Sequence, residues 1–350
     1  MTSKTTIFFL GATGYIGGSV LARLLARPDA STFDITALVR SPEKAEKLKA
    51  FGVTPALGSL QDLGLLEDLA SKAHIVFSCA DCDDLPSVTA ILKGMRKRHE
   101  TVGDLPILIH TVRVLTYGSA FTGGMSVSEK IYDDADADDI ERSLPETAFH
   151  RHVDLPIVRA DQEGYLKSYI ILPSTIWGIA RNPLVDAGII NPHSKAIPLL
   201  LTASLRRGRV AVVGKGLAVW PSVEIEEQVD LYMLIFDAVT KTPGAIGHGR
   251  DGYYFGISDD SEYSWYDLTK EIGKALVELG VHKESEPETF QKGELTKCFG
   301  SEEFGSYFGT NSRGVANHSK SLGWSPKKGV KEFFASIKPE IEVLLKQQKK

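Results

Sequence analysis

Thr6-Ile7-Phe8-Phe9-Leu10-Gly11-Ala12-Thr13-Gly14-Tyr15-Ile16-Gly17-Gly18 sets the frame for the rest of the chain. The four consecutive apolar residues Ile7 to Leu10 predict a short strand buried on both faces, as in a parallel sheet. Gly11, Gly14 and Gly17 follow at G-x-x-G-x-x-G spacing, and Ser19 to Ala26, rich in Ala and Leu, continues as a helix. In such a strand–turn–helix each glycine has its own task. Gly11 permits the tight turn, Gly14 lets a pyrophosphate approach the backbone, and Gly17 lets helix and strand close up. The helix N-terminus, entered through Tyr15 and Ile16, offers unpaired N–H groups and the positive end of its dipole, to which Thr13 adds a hydroxyl donor.

Working outward, strands alternate with helices. Phe33 to Arg40 reads as a second strand, Val53 to Gly58 as a third, Ala73 to Ser78 as a fourth and Leu105 to Thr111 as a fifth, with helices at Leu63–Ala70 and Leu85–His99. This alternation predicts an α/β fold, a Rossmann-type doubly wound parallel sheet whose ligands sit beyond the carboxyl ends of the strands. Arg40, Cys79-Ala80-Asp81 and His110 to Val114 then join the glycine loop around one crevice. The second strand ends in Arg40 rather than in an acid. An acid there accepts the ribose hydroxyl of NAD, whereas an arginine holds the 2′-phosphate of NADP. The expected cofactor is therefore NADP(H), with NAD(H) the lesser alternative.

Further on, Gly118 to Arg142 is rich in glycine and acid. Its run Asp133 to Asp139 lacks the central glycine and terminal glutamate of a calcium loop and reads as a solvated surface loop. Phe149 to Glu163 predicts a helix and Ser168 to Leu172 a sixth strand, closed by Pro173-Ser174-Thr175. The dinucleotide-binding unit is placed at 1–177, its sheet completed from within 208–258, and a smaller C-terminal substrate-binding region at 178–350. Trp265 to Leu279 is an amphipathic helix whose Tyr266-x-x-x-Lys270 spacing imitates a catalytic dyad but falls too late in the chain to serve.

A net charge of −5 argues against general nucleic-acid binding, and the basic run Met95 to His99 reads as a solvated helix end. Three cysteines make no disulfide framework in 350 residues, which favours a reducing, cytoplasmic setting. Cys79-x-x-Cys82 lacks a second Cys/His pair at zinc-ligand spacing, so no metal is expected. No stretch approaches the roughly 20 apolar residues of a membrane helix. The expected partner is a small-molecule substrate, bound by a monomer or homodimer.

These pieces together resemble the extended short-chain dehydrogenase/reductase superfamily, also called the NAD-dependent epimerase/dehydratase family, in an atypical, fungal-type branch. The resemblance rests on Gly11 to Gly17, Leu38-Val39-Arg40, Leu172 to Gly178, Val223-Glu224-Ile225-Glu226-Glu227 for the family's V-H-I-D-D segment, and Leu322-Gly323-Trp324-Ser325-Pro326 for its L-G-W-x-P element. It implies that Pro173, Ser174 and Thr175 run beside a nicotinamide. It also implies a catalytic Ser or Thr after the fifth strand and a Tyr-x-x-x-Lys on the next helix. Here Thr111 is the hydroxyl in place, while the helix reads His150-Arg151-His152-Val153-Asp154, with His150 at the tyrosine position and Asp154 at the lysine position. The resemblance thus implies an oxidoreductase with a non-standard proton donor, His150 or His152, oriented by Asp154, and a substrate oxygen held by Thr111. The alternatives are a redox sensor that binds the dinucleotide without turnover, and an isomerase, lyase or cyclase on the same fold.

Overall fold

The structure, a computed structural model, describes residues 4–112, 122–148, 150–242 and 244–348. Arg113, Val114, Gly118 and Phe149, which the sequence reading includes in the crevice, the acidic stretch and a helix, lie outside them. Seven parallel strands make the central sheet: β1 (Thr5–Leu10), β2 (Phe33–Val39), β3 (Thr54–Leu57), β4 (Ile75–Ser78), β5 (Ile107–Thr111), β6 (Lys167–Pro173) and β7 (Tyr253–Gly256). Their spatial order is β7-β6-β5-β4-β1-β2-β3, so the strand order reverses between β1 and β4. Ile7 pairs with both Ile35 of β2 and Ile75 of β4, which centres the glycine loop on this switch point.

Helices cover both faces, as continuously apolar strands require. On one face α1 (Tyr15–Leu25) packs with the long helix Ile225–Lys241. On the other, the helix Leu63–Lys72 packs with α2 (Leu85–Val102), which in turn packs with α3 (Arg151–Gln162). We call Ile225–Lys241 α4. Phe9 stacks on Phe77 across β1 and β4 at 5.0 Å, and Phe236 of α4 closes over Phe77 at 5.9 Å. Buried aromatic rings of this kind contribute on the order of 1.5–3 kcal/mol each.

Two of the resembling segments lock together. Glu224 caps α4 by accepting from the amides of Glu226 and Glu227, and Trp324 donates its indole N–H to the Glu227 carbonyl at 2.7 Å. Tyr266 and Lys270 both bind the exposed Glu286.

Two solvated readings need correction. Asp133 to Asp139 is not a solvated loop. Tyr132–Asp133 pairs with Gly314–Val315, and Ala137–Ser143 is helical. Asp134 is 3% exposed and accepts from the amides of Phe255, His318 and Ser319 and from the Ser319 hydroxyl. The basic run is solvated only in part: Arg96 and Lys97 are exposed, whereas α2 extends to Val102 and buries Met95 and Arg98, the latter paired with Asp104. A helix-face pattern marks which residues turn inward, but not that an acid from elsewhere waits for a buried guanidinium.

Candidate active site

The glycine loop begins where β1 runs out. Gly11 adopts φ +81°, and a Cβ on it would lie 2.3 Å from the Cys79 carbonyl oxygen. A Cβ on Gly17 would lie 2.4 Å from the Gly11 carbonyl oxygen. Gly14 differs. A Cβ there meets only the Gly11 oxygen, at 3.2 Å, and Gly14 stands at the start of α1 with no side-chain cap. Gly11 and Gly17 thus hold loop, helix and the Cys79–Ala80 backbone together, while Gly14 leaves open space at an uncapped helix end. That is the cradle a pyrophosphate requires. Thr13 is half-buried, Ile16 packs against the core, and Tyr15 donates its hydroxyl to the Gly178 carbonyl at 2.6 Å.

Arg40 is exposed directly after β2, and Ser41 caps the helix Pro42–Lys49 behind it. Lys47 of that helix pairs with Glu43 at 2.8 Å. Ala80 and Asp81 are exposed on the loop after β4. Pro173 ends β6, but the hydroxyls that follow it face inward: Ser174 donates to the Gly256 carbonyl at 2.6 Å and Thr175 shares a hydrogen bond with Tyr263 at 2.6 Å. Their amides are engaged as well, Ser174 N–H with the Gly256 carbonyl at 2.9 Å and Thr175 N–H with the Pro221 carbonyl at 3.2 Å.

The candidate catalytic residues divide between the two faces of the sheet. Successive residues of a strand point to opposite faces. Thr111, buried at the end of β5, bonds Tyr232 of α4 at 2.8 Å and Cys79 Sγ at 3.2 Å, on the α1/α4 face. His110, one residue earlier, lies on the α2/α3 face, where the charges of His150 and Asp83 act on it. The structure therefore does not bring Thr111 together with the histidines of α3. Burial pushes the Cys79 thiol up to about 12, only partly offset by the Thr111 hydroxyl.

His150 is the residue just before α3, buried, in the left-handed conformation at φ 69°. Its Nδ1 bonds the Asp83 carboxylate at 2.5 Å and lies 3.6 Å from Cys82 Sγ. Burial opposes the charged ring, but the hydrogen bonds and charges of Asp83 and Cys82 outweigh it and lift the His150 pKa to about 9. His152 is exposed, with Nε2 3.3 Å from the Asp83 carbonyl. Asp154 is not the carboxylate that orients His150. It is 0% exposed and its charge acts on Tyr253, whose hydroxyl accepts from Arg151 at 2.7 Å. Arg151 is paired in turn with Glu141. One turn of helix carried Asp154 inward, away from His150.

Sequence reasoning missed Asp83 altogether, and it gave Cys82 and His110 no role beside His150. Asp83 and Cys82 follow directly on the loop read as cofactor-lining, but nothing in the spacing reveals a partner 67 or 68 residues on. Burial pushes His110 down to about 3, with His150 adding to the effect, so its ring is neutral.

Residues 3–93 match the model of the NmrA-like family. The chain is 28% identical to Oxidase ucsJ of Acremonium sp over 98% of this chain and 99% of that protein. It is 26% identical to an uncharacterized protein of Schizosaccharomyces pombe over 69% of this chain and 73% of that one. Among solved structures it superposes on UDP-glucose 4-epimerase of Thermotoga maritima, determined with UDP-glucose, with a TM-score of 0.61 at 16% identity over 97% and 100% of the two chains. The dTDP-glucose 4,6-dehydratase of Bacillus anthracis, in complex with NAD, gives a TM-score of 0.61 at 16% identity over 97% and 96%. No helix among the described residues is long and apolar enough to cross a membrane. The chain thus carries the fold of the extended short-chain dehydrogenases/reductases, as its glycine motif implies, with a first quarter that matches the NmrA-like family.

Proposed function

We propose that this chain is an NADP(H)-dependent oxidoreductase of a small carbonyl or hydroxyl compound, in which His150 takes the place of the family tyrosine. One observation carries the reading. His150 is held against Asp83 in a left-handed conformation that costs a non-glycine residue about 1–3 kcal/mol. It sits where α3 begins, beside the loop that leads directly from Cys79 and the glycine turn. A bound nicotinamide supplies or accepts hydride. The chain's own residues do the rest: Gly14 and the start of α1 receive the pyrophosphate, Arg40 the 2′-phosphate, and His150 donates a hydrogen bond to the oxygen on which charge develops. Asp83, rather than Asp154, holds the imidazole in place, and His152 stands at the rim. The dehydratase with which the fold is shared, solved with NAD, supports a nicotinamide cofactor, and the oxidase relative supports redox chemistry. The reading includes a cytoplasmic monomer or homodimer.

Removing such a donor lowers the rate roughly 10²–10⁴-fold. The test is NADPH oxidation against a carbonyl panel by wild type, His150→Asn and His152→Ala, with His150→Asn expected to lose the activity and His152→Ala to keep most of it. An active His150→Asn would remove the role assigned to His150. A second reading, a dinucleotide-binding sensor, is favoured by the capture of the Thr111 hydroxyl by Tyr232. Tight NADPH binding with no turnover on any carbonyl would put it first.

A further inference from the structure

We propose that Cys82, Asp83 and His150 form a binding site for a divalent metal ion of the zinc type. Their ligand atoms, one from each residue, all lie within 4.8 Å of one another. Cys82 Sγ and His150 Nδ1 are 3.6 Å apart. Zinc bonds of about 2.3 Å to sulfur and 2.0 Å to nitrogen, opened to a tetrahedral angle, put these two atoms about 3.5 Å apart. The carboxylate stands closer to Nδ1 than the roughly 3.3 Å of a tetrahedral nitrogen–oxygen edge. Asp83, the exposed member of the three with 45% of its side chain in solvent, must withdraw by that margin to admit the ion. A proton between imidazole and carboxylate and an ion among the three donors are alternative occupants of the same space.

The second observation is His110. It is 1% exposed, and neither ring nitrogen has a hydrogen-bond partner among the described residues. An unsatisfied buried polar group costs about 1–3 kcal/mol, yet this one lies close enough to His150 and Asp83 for their charges to act on it. A neutral imidazole beside the cluster is suited to bond an oxygen ligand on the ion. A thiolate, an imidazole and a carboxylate select zinc or cobalt over magnesium or calcium. The described residues supply three protein ligands, the number a catalytic zinc site takes from its protein, with the fourth position for water or substrate. The objection drawn from sequence, that Cys79-x-x-Cys82 has no second pair, falls away. Cys79 is taken by Thr111, and the partner of Cys82 comes from the start of α3. The proposal rests on the reading above only for the location of the site, and it deepens it by placing a Lewis acid at the oxygen end of the crevice.

The test is a cobalt titration of the chelator-stripped full chain, without cofactor, followed by absorption spectroscopy. One equivalent of Co²⁺ is expected to give a thiolate charge-transfer band and the visible bands of a tetrahedral ion. Cys82→Ser should abolish the charge-transfer band. Asp83→Asn and His150→Asn, the latter chosen because asparagine tolerates the left-handed conformation, should weaken binding at least about tenfold, the minimum seen even for residues behind the ligands. Far-ultraviolet circular dichroism checks that each variant is folded. No thiolate band, or equal affinity in all folded variants, overturns the site. Turnover insensitive to chelation together with no cobalt band would remove the metal and leave the oxidoreductase standing. Cobalt binding without turnover would do the reverse.

Discussion

The Thr111 hydroxyl and the Tyr232 hydroxyl lie 2.8 Å apart, and Thr111 is also 3.2 Å from Cys79 Sγ, so the tyrosine donates to the threonine and the threonine to the sulfur. This small chain ties β5, β4 and α4 together. Thr111→Val strands the buried Tyr232 hydroxyl and should cost about 1–3 kcal/mol. Tyr232→Phe leaves Thr111 its bond to Cys79 and should cost less, and the double variant should be no worse than Thr111→Val alone. Denaturant unfolding of the three variants measures this cycle. A Thr111→Val protein of normal stability and greatly reduced turnover would restore the threonine to the substrate.

The three glycines of the loop should separate experimentally. Gly11→Ala and Gly17→Ala place a Cβ within 2.5 Å of backbone oxygen, at Gly11 also at φ +81°. The left-handed strain alone costs about 1–2 kcal/mol, so both should unfold at clearly lower denaturant. Gly14→Val should keep most of the stability and lose NADPH binding, because the space it fills is a ligand's. Calorimetric titration beside denaturant melts reads both effects; tight NADPH binding by Gly14→Val would move the phosphates elsewhere.

Arg40 is exposed at the end of β2. Arg40→Ala should weaken NADPH by roughly 1.5–3 kcal/mol, the range for a charged hydrogen bond, and leave NADH nearly unchanged. Equal losses in the two dissociation constants would reject its assignment to the 2′-phosphate.

Asp134 joins the segment before α3 to the C-terminal region through four accepted hydrogen bonds. Asp134→Ala leaves the buried Phe255 and Ser319 amides without an acceptor, at about 1–3 kcal/mol each. A loss above about 2 kcal/mol in urea unfolding is expected, whereas a neighbouring acid such as Asp138, exposed on its helix, should change stability little when replaced.

The sheet was legible because its signals are local. Four apolar residues before Gly11, and Ile75-Val76-Phe77 shortly before Cys79, can be read without knowing their neighbours, and β5 and β6 follow the same rule. Arg40 is legible for the same reason, as the residue at which a strand stops. The His150 group was half legible. The helix that follows it comes from the sequence pattern and its place in the tyrosine's position from the family resemblance, but spacing paired it with Asp154, one turn away. The fold instead rotates Asp154 under the helix towards Tyr253 and supplies Asp83 from the end of β4. Asp134 was misread because a run of acids looks solvated whichever of them turns inward. Contacts between distant segments leave no periodic trace.

β7 is built from Tyr253–Gly256 and pairs with β6 through Tyr253↔Ile170 to Gly256↔Pro173. As the chain leaves the ribosome, β6 therefore emerges well before the strand that covers its outer edge. Until residue 256 is made, Ile170, Ile171 and Leu172 present bare amides and carbonyls beside apolar side chains, a template for pairing with another chain. A fragment cut at 177 keeps that edge open and removes the Tyr253 hydroxyl to which Arg151 donates. The crevice cannot be isolated by trimming the C-terminal half, and expression of shortened forms should yield aggregate rather than a smaller binding domain.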